Sequence, residues 1–131
     1  MAKRLREKTE KIMANKDNRA HASVKFVRIS PFKIRPVLDI VRGKSVNDAL
    51  ATLAVTPKAS SEVLYKLINS AVANAEHNLG LARADLFVAE IYADGGPILK
   101  RVQPVSKGRA YRINKRTSHI TVILDTVKEV K

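Results

Sequence analysis

Two extended stretches flank one cluster of turn-forming residues, and their length constrains the fold more than any other feature of the sequence. The turn formers gather at residues 104–108. An antiparallel hairpin centred there pairs Leu86 with Asp125 and Val102 with Arg109, so that residues 86–102 form an arm of 17 residues. Such an arm reaches roughly 55 Å, whereas a domain of this size is only about 30 Å across. We therefore expect the hairpin to protrude from the body of the protein.

The outer part of this hairpin is strongly basic. Residues 97–120 carry seven cations and no acidic residue, whereas residues 59–96 carry two basic and five acidic residues. The excess gives the 131-residue chain a net charge of +13. An isolated two-stranded ribbon is marginal in water, so this one is expected to be ordered only inside a phosphate-rich partner. The seven cations are Lys100, Arg101, Lys107, Arg109, Arg112, Lys115 and Arg116.

The segment before the hairpin begins with a strand and a helix. Residues 22–29 show the partial alternation of a short strand. Ser30-Pro31 is typical of a helix start, with the serine as N-cap, and Gly43 is a plausible stop. Pro36 favours a later start or a bend, since it removes a hydrogen bond. One face of this helix carries apolar residues at i, i+3, i+4 and i+7, namely Ile34, Val37, Leu38 and Val41.

Two further helices are predicted before the sequence becomes β. Asn47 is a candidate cap for a short helix, and Thr56-Pro57 opens a long one that runs to about Asn78 and ends at Gly80. The short helix holds Leu50, Leu53 and Ala54. The long helix has an apolar stripe of Leu64, Leu67, Ile68, Ala71, Val72 and Ala75.

The strands of the hairpin arms alternate in polarity. The first, residues 86–93, is predicted to place Phe87, Ala89 and Ile91 on one face and Leu86, Val88 and Tyr92 on the other. Residues 95–97 (Gly-Gly-Pro) should break or bend this arm where it leaves the sheet. The last strand, residues 117–126, sets Ile120, Val122 and Leu124 opposite His119, Thr121 and Ile123.

Nothing in the sequence indicates catalysis, a metal or a cofactor. Ser118 and His119 are adjacent, but neighbouring strand residues point to opposite faces, and no third group completes a catalytic arrangement. His21 and His77 have no second ligand at metal-ligand spacing. The chain has no cysteine, which excludes disulfides and is compatible with a reducing compartment. We interpret His119 as a polar residue that hydrogen-bonds to RNA or to backbone.

Residues 1–20 are expected to form a basic extension. They carry seven basic and three acidic residues with weak periodicity, which is typical of a flexible tail or of a helix that forms only on a partner such as RNA. Their beginning lacks the apolar core of a signal peptide, and no apolar run is long enough for a membrane span. We therefore expect a cytoplasmic protein with no membrane partner, in which residues 21–131 form one RNA-binding domain.

Several ordered motifs resemble the bacterial family of large-subunit ribosomal proteins numbered twenty-two. The C-terminal motif contains Lys107-Gly108-Arg109-Ala110, then Arg112, then residues 115–122 (Lys-Arg-Thr-Ser-His-Ile-Thr-Val). Further matches lie at residues 41–44, at residues 71–78 and at Gly96-Pro97 followed by Lys100-Arg101. The resemblance covers about residues 20–126. Val105-Ser106 departs from it, because many members have a basic residue after the proline at the hairpin tip.

The resemblance implies an α+β fold of three helices packed on a three-stranded antiparallel sheet, with a long protruding β-hairpin at about residues 95–116. It implies a structural component of the large ribosomal subunit that binds large-subunit rRNA, supports assembly and extends its hairpin along the nascent-peptide exit tunnel. The implied partners are rRNA, neighbouring large-subunit proteins and the nascent polypeptide. No homo-oligomer is expected.

The residues above and the resemblance together give a set of candidate contacts. The tunnel-lining hairpin residues implied by the family are Leu99, Lys100, Arg101, Val102, Gln103 and Pro104. The candidate rRNA contacts outside the hairpin are Arg28, Lys33, Arg35, Arg42, Lys44, Ser118 and His119. Those within it are Lys100, Arg101, Gln103, Lys107, Gly108, Arg109, Tyr111, Arg112, Lys115 and Arg116.

Three other functions remain as alternatives. A free-standing RNA- or DNA-binding module would bind selectively with modest salt dependence, whereas a phosphate-clamped structural protein loses affinity steeply with salt. An anionic-membrane binder would need an amphipathic helix with large apolar residues, and residues 1–20 offer only Leu5, Ile12 and Met13. An enzyme would need a site that the sequence does not contain.

Overall fold

A computed structural model describes residues 2–126; Met1 and residues 127–131, which include the end of the expected domain, lie outside the described part. The described chain is α+β, as predicted, but it holds four α-helices rather than three. The helices are α1 (Ala2–Ala14), α2 (Pro31–Val41), α3 (Val46–Val55) and α4 (Ala59–Leu79). The strands are β1 (Ala20–Val27), β2 (Leu86–Gly95), β3 (Leu99–Pro104), β4 (Ala110–Lys115) and β5 (Ser118–Thr126).

The body of the protein is a three-stranded antiparallel sheet covered on one face by α2, α3 and α4. Its strand order is β1-β5-β2, so the last strand lies in the middle. α4 packs on β1 and β5, and α2 packs on β2. The largest fully buried side chains come from both layers, which places the core between them. They include Ile34, Leu38, Leu64, Ile68, Ile91 and Ile120.

The helix boundaries follow from caps and breakers. α2 begins at Pro31 despite Pro36, and its predicted apolar stripe is buried. The predicted cap of α3 was wrong: Ser45 rather than Asn47 is the N-cap, because its Oγ accepts from the backbone N–H of Asp48 at 3.2 Å. Ala54 of that helix is exposed. α4 begins at Ala59 with Lys58 as its N-cap, so the predicted start at Thr56-Pro57 was wrong. It has the predicted buried stripe, and Gly80 ends it in the left-handed conformation (φ +63°).

The fourth helix lies in the N-terminal extension. α1 packs extensively on no other described element, and the described side chains of residues 3–14 are exposed. Arg19 connects the linker between α1 and β1 to the sheet. Its Nη2 lies 2.6 Å from Asp17 Oδ2 in the linker and 2.8 Å from Glu90 Oε1 in β2. The hydrogen bond from Arg19 lowers the pKa of Asp17 to about 2. Whether this extension is ordered without RNA stays a prediction.

The pairing of β2 differs from the sequence prediction both in its register and in the residues that face the core. Leu86 pairs with Thr126 rather than Asp125, and the register shifts between Val88 and Glu90. The extra residue of this β-bulge returns Ile91 to the core face with Leu86 and Val88 and leaves Tyr92 exposed, so the predicted faces of Ile91 and Tyr92 were wrong. The alternation predicted for β5 is present, with Ile120, Val122 and Leu124 buried.

The outer part of the arms forms a separate two-stranded sheet, β3-β4. Residues 96–98 separate β2 from β3, at the Gly-Pro interruption that the sequence indicated, and residues 116–117 separate β4 from β5. Neither arm is therefore one continuous strand of 17 residues. Val102 pairs with Arg112 rather than Arg109, because residues 105–109 form a longer turn than a tight hairpin needs. Lys107 and Gly108 have positive φ in that turn.

Candidate nucleic-acid interface

The β3-β4 ribbon extends beyond the body of the protein. Neither strand packs extensively against any other described element. Within residues 97–116 every side chain is exposed except Val105 and Ile113, which are half-buried. Even Val102 exposes 64% of its surface and Tyr111 exposes 57%. A ribbon of this kind has almost no core of its own, so its order depends on what surrounds it.

The cations of the ribbon occupy both of its faces. Cross-strand partners in an antiparallel pair point to the same side. The pairs Leu99–Lys115 and Arg101–Ile113 therefore share one face, whereas Lys100–Asn114 and Val102–Arg112 share the other. Each face carries at least two cations. A partner that neutralises all of them must surround the ribbon rather than lie along one side.

The hairpin cations have no internal counter-charge among the described residues. Every ion pair found in residues 2–126 lies in the body or in the linker before it. Arg101 donates to its neighbour's carbonyl, Lys100 O, at 2.8 Å, and this contact brings no negative charge. Seven cations close together without carboxylates repel one another. The arrangement is therefore favourable only beside a polyanion.

Three predicted contact residues of the body also stabilise the exposed edge of β2. Arg42 Nη2 donates to Ile91 O at 2.9 Å, and Arg35 Nη2 donates to Ala93 O at 3.3 Å. Lys44 donates to Thr52 Oγ1 at 3.2 Å, and its backbone oxygen accepts from the N–H of Val88. A free strand edge invites unwanted pairing, so these contacts protect it. No pattern in the sequence indicated this role, because it depends on the packing of α2 beside β2.

The other predicted contact residues outside the hairpin differ in how exposed their side chains are. Arg28 and Lys33 are exposed. Ser118 is fully buried, and its Oγ donates to Ile29 O, so its hydroxyl is already occupied. His119 is half-buried and accepts at Nδ1 from the backbone N–H of Phe26 at 3.0 Å. The structure thus places His119 on backbone, which is one of its two expected partners.

The root of the hairpin is closely packed. Gly96 N–H donates to Thr117 O at 2.9 Å, and Thr117 Oγ1 donates to Pro97 O at 2.6 Å. A Cβ at Gly96 would lie 2.5 Å from Thr117 Oγ1 and 3.1 Å from the His119 ring. These contacts fix the direction in which the ribbon leaves the sheet. Across residues 2–126, no cluster of three or more side chains is placed to hold a metal ion, and no helix is long and apolar enough to cross a membrane.

The family is decided by comparison with known proteins. The model of the family described as Ribosomal protein L22p/L17e matches residues 22–125. The chain belongs to this family. The chain is 56% identical over 110 residues to the large ribosomal subunit protein uL22 of Desulfitobacterium hafniense, which covers 84% of this chain and 96% of the relative. It is also 56% identical over 105 residues to the protein of the same name from Clostridium kluyveri, which covers 80% of this chain and 95% of the relative.

Membership in the L22p/L17e family confirms the resemblance inferred from the motifs. The match begins at residue 22, so α1 and the linker after it lie outside the matched segment. The whole ribbon and the hairpin root lie inside it. The family consists of ribosomal proteins, and the chain is accordingly a ribosomal protein rather than an enzyme.

Proposed function

We propose that this protein is a structural component of the large ribosomal subunit that binds large-subunit rRNA through the β3-β4 ribbon and supports assembly of the subunit. The observation that carries the proposal is a protruding ribbon with cations on both faces and no carboxylate partner among the described residues. Phosphate groups of rRNA supply the missing negative charge. Family membership supports the same assignment.

We further propose that the ribbon reaches the nascent-peptide exit tunnel. The ribbon would lie in the tunnel wall in the cytoplasmic ribosome, where it would contact the nascent polypeptide and neighbouring large-subunit proteins. Its length supports this placement, since the six residues of β3 from Leu99 to Pro104 alone span about 20 Å. Such a span would carry the tip well away from the body of the protein.

The location in the subunit is tested by sucrose-gradient sedimentation of a lysate that contains the tagged full-length chain. We expect the protein to travel with large subunits and to stay there at moderate salt. Protein that remained at the top of the gradient would contradict the proposal.

A variant that lacks four ribbon cations should associate less with large subunits, because it loses phosphate contacts. Its body should keep its circular dichroism spectrum and melting temperature. The four substitutions are Lys100→Ala, Arg101→Ala, Arg109→Ala and Arg112→Ala.

A matched control distinguishes the effect of losing ribbon cations from the effect of lowering the total charge. The control removes four cations from α1, which lies outside the family match, so both variants carry a net charge of +9 instead of +13. Its substitutions are Lys3→Ala, Arg4→Ala, Arg6→Ala and Lys8→Ala. If both variants lost association equally, total charge rather than the ribbon would explain the binding.

A further inference from the structure

An aromatic side chain lies outside the sheet at the root of the ribbon, where the strand pattern would bury it. In β1, Ala20 and Ala22 are buried and Val24 is half-buried. Strict alternation would therefore place the side chain of Phe26 on the same, core-facing side of the strand. A bulge between Val24 and Val27 interrupts the register. Val27 takes the inward position, and Phe26 exposes 62% of its surface. The bulge therefore re-aims a large apolar side chain toward solvent.

The backbone at Phe26 is strained to hold this position. Its φ is +59°, in the left-handed region that glycine adopts readily and a side chain with a Cβ disfavours. A bulge residue in this conformation is usually glycine. Here the position combines an unfavourable backbone with an exposed phenyl ring. Neither feature stabilises the core, so the body of the protein does not account for the ring.

His119 fixes the orientation of Phe26. The N–H of Phe26 donates to His119 Nδ1 at 3.0 Å, and the two ring centroids lie 4.9 Å apart with planes at 89°. Gly96 packs behind the imidazole, where a Cβ would approach Nε2 to 3.1 Å. The phenyl ring is thus supported on one side and open on the other, which gives it a defined position before any partner arrives.

The charges around the ring favour an anionic partner. Lys25 and Arg28 are close neighbours of Phe26 in the chain, and Arg116 lies just before the β5 residues that pair with this part of β1. All three are exposed, and none has an ion pair with a described carboxylate. Asp94 is the cross-strand neighbour of His119 in β2, on the side of β5 away from β1, and it has no ion pair among the described residues.

We propose that Phe26, supported by His119, is a stacking site for an unpaired base of rRNA at the root of the ribbon. Aromatic faces among cations recognise single-stranded nucleotides in this way, with the ring on the base and the cations on the adjacent phosphates. The site continues directly into the basic ribbon, so one RNA segment can contact both. The inference rests on the proposed rRNA binding and adds the chemical class of one contact.

The test compares the affinity of full-length variants for large-subunit rRNA over a range of salt concentrations. Phe26→Gly removes the ring and adopts φ +59° without strain, so the free protein should stay folded. Loss of one base stack should weaken binding about five- to a hundredfold. The factor should be similar at every salt concentration, because stacking releases no counterions, whereas Arg28→Ala should reduce the salt dependence itself. Phe26→Tyr should restore binding, and Tyr65→Ala, which removes a partly exposed aromatic elsewhere, should leave it unchanged.

Chemical probing of the RNA gives a second readout. Complexes with Phe26→Gly should show increased reactivity of one or two unpaired bases that the natural protein protects. Unchanged affinity together with an unchanged reactivity pattern would overturn the inference. Unchanged rRNA affinity with reduced incorporation into subunits would also overturn it, since the ring would then contact a protein. The four-cation ribbon variant in the same assay separates the two proposals, because its failure to weaken binding would count against the proposed function instead.

Discussion

At the scale of single residues, the hairpin root depends on a glycine that no side chain can replace without displacement. Gly96 approaches Thr117 and His119 so closely that an added Cβ would lie 2.5 Å from Thr117 Oγ1. That hydroxyl is also the donor to Pro97 O. Gly95, its neighbour, has open space around its own Cβ position. The two adjacent glycines therefore have different roles, although the sequence presents them as a pair.

This difference gives a prediction for substitution by alanine. Gly96→Ala should lower the free energy of unfolding by about 1–3 kcal/mol, because the new methyl group displaces Thr117 or the His119 ring. Gly95→Ala should change it by less than about 0.5 kcal/mol, as for an ordinary exposed site. Chemical denaturation of both variants measures the effect. Equal stability of the two variants would show that the contacts at Gly96 are not important for the fold.

At the scale of elements, β3 cannot present all its residues to one surface. Alternation places Leu99, Arg101 and Gln103 on one face and Lys100, Val102 and Pro104 on the other. The six residues that the family resemblance implied as tunnel-lining thus divide into two sets of three. If the ribbon lies in the tunnel wall and is otherwise surrounded by rRNA, one set lies nearer to the nascent chain than the other.

This division predicts a periodic cross-linking pattern. A photo-reactive amino acid placed singly at Arg101, Val102 and Gln103 should cross-link to a stalled nascent chain with alternating yield. The nascent-chain yields at positions 101 and 103 should be similar to each other and should differ from the yield at position 102. Whichever face gives the lower nascent-chain yield should cross-link mainly to RNA. Equal nascent-chain yields at all three positions would contradict placement of the ribbon in the tunnel wall.

At the scale of the whole molecule, the protein separates stability from recognition. The body buries a core between one sheet face and three helices, whereas the ribbon buries almost nothing. The positive charge follows the same division, since residues 97–120 carry seven cations and residues 59–96 have a net charge of −3. Repulsion among the ribbon cations therefore stays outside the core and is relieved on binding a polyanion.

The division predicts how salt acts on binding. The logarithm of rRNA affinity should fall linearly with the logarithm of salt concentration, by about 0.7–0.9 for each phosphate neutralised. Removing the four ribbon cations should reduce this slope by about 3, as four phosphate contacts would require. Filter binding at several salt concentrations measures both slopes. An unchanged slope would mean that these cations do not contact phosphate.

The sequence alone determined whatever depends on neighbours along the chain. The apolar stripes of α2 and α4, the end of α4 at Gly80, the alternation of β5 and the interruption at residues 96–98 follow from local periodicity and from glycine and proline. The protruding basic ribbon was predictable for the same reason, because arm length and charge are properties of a continuous segment.

Only the tertiary structure decided the features that depend on distant pairing. The bulges at Val88–Glu90 and Val24–Val27 arise from the pairing of β2 and β1 with β5, and each changes which side chains face the core. The guanidinium contacts of Arg35 and Arg42 likewise require α2 to lie beside β2. One extra residue in a strand reverses which side chains point inward and which point outward. The position of such a bulge therefore cannot be predicted from the pattern of one segment alone.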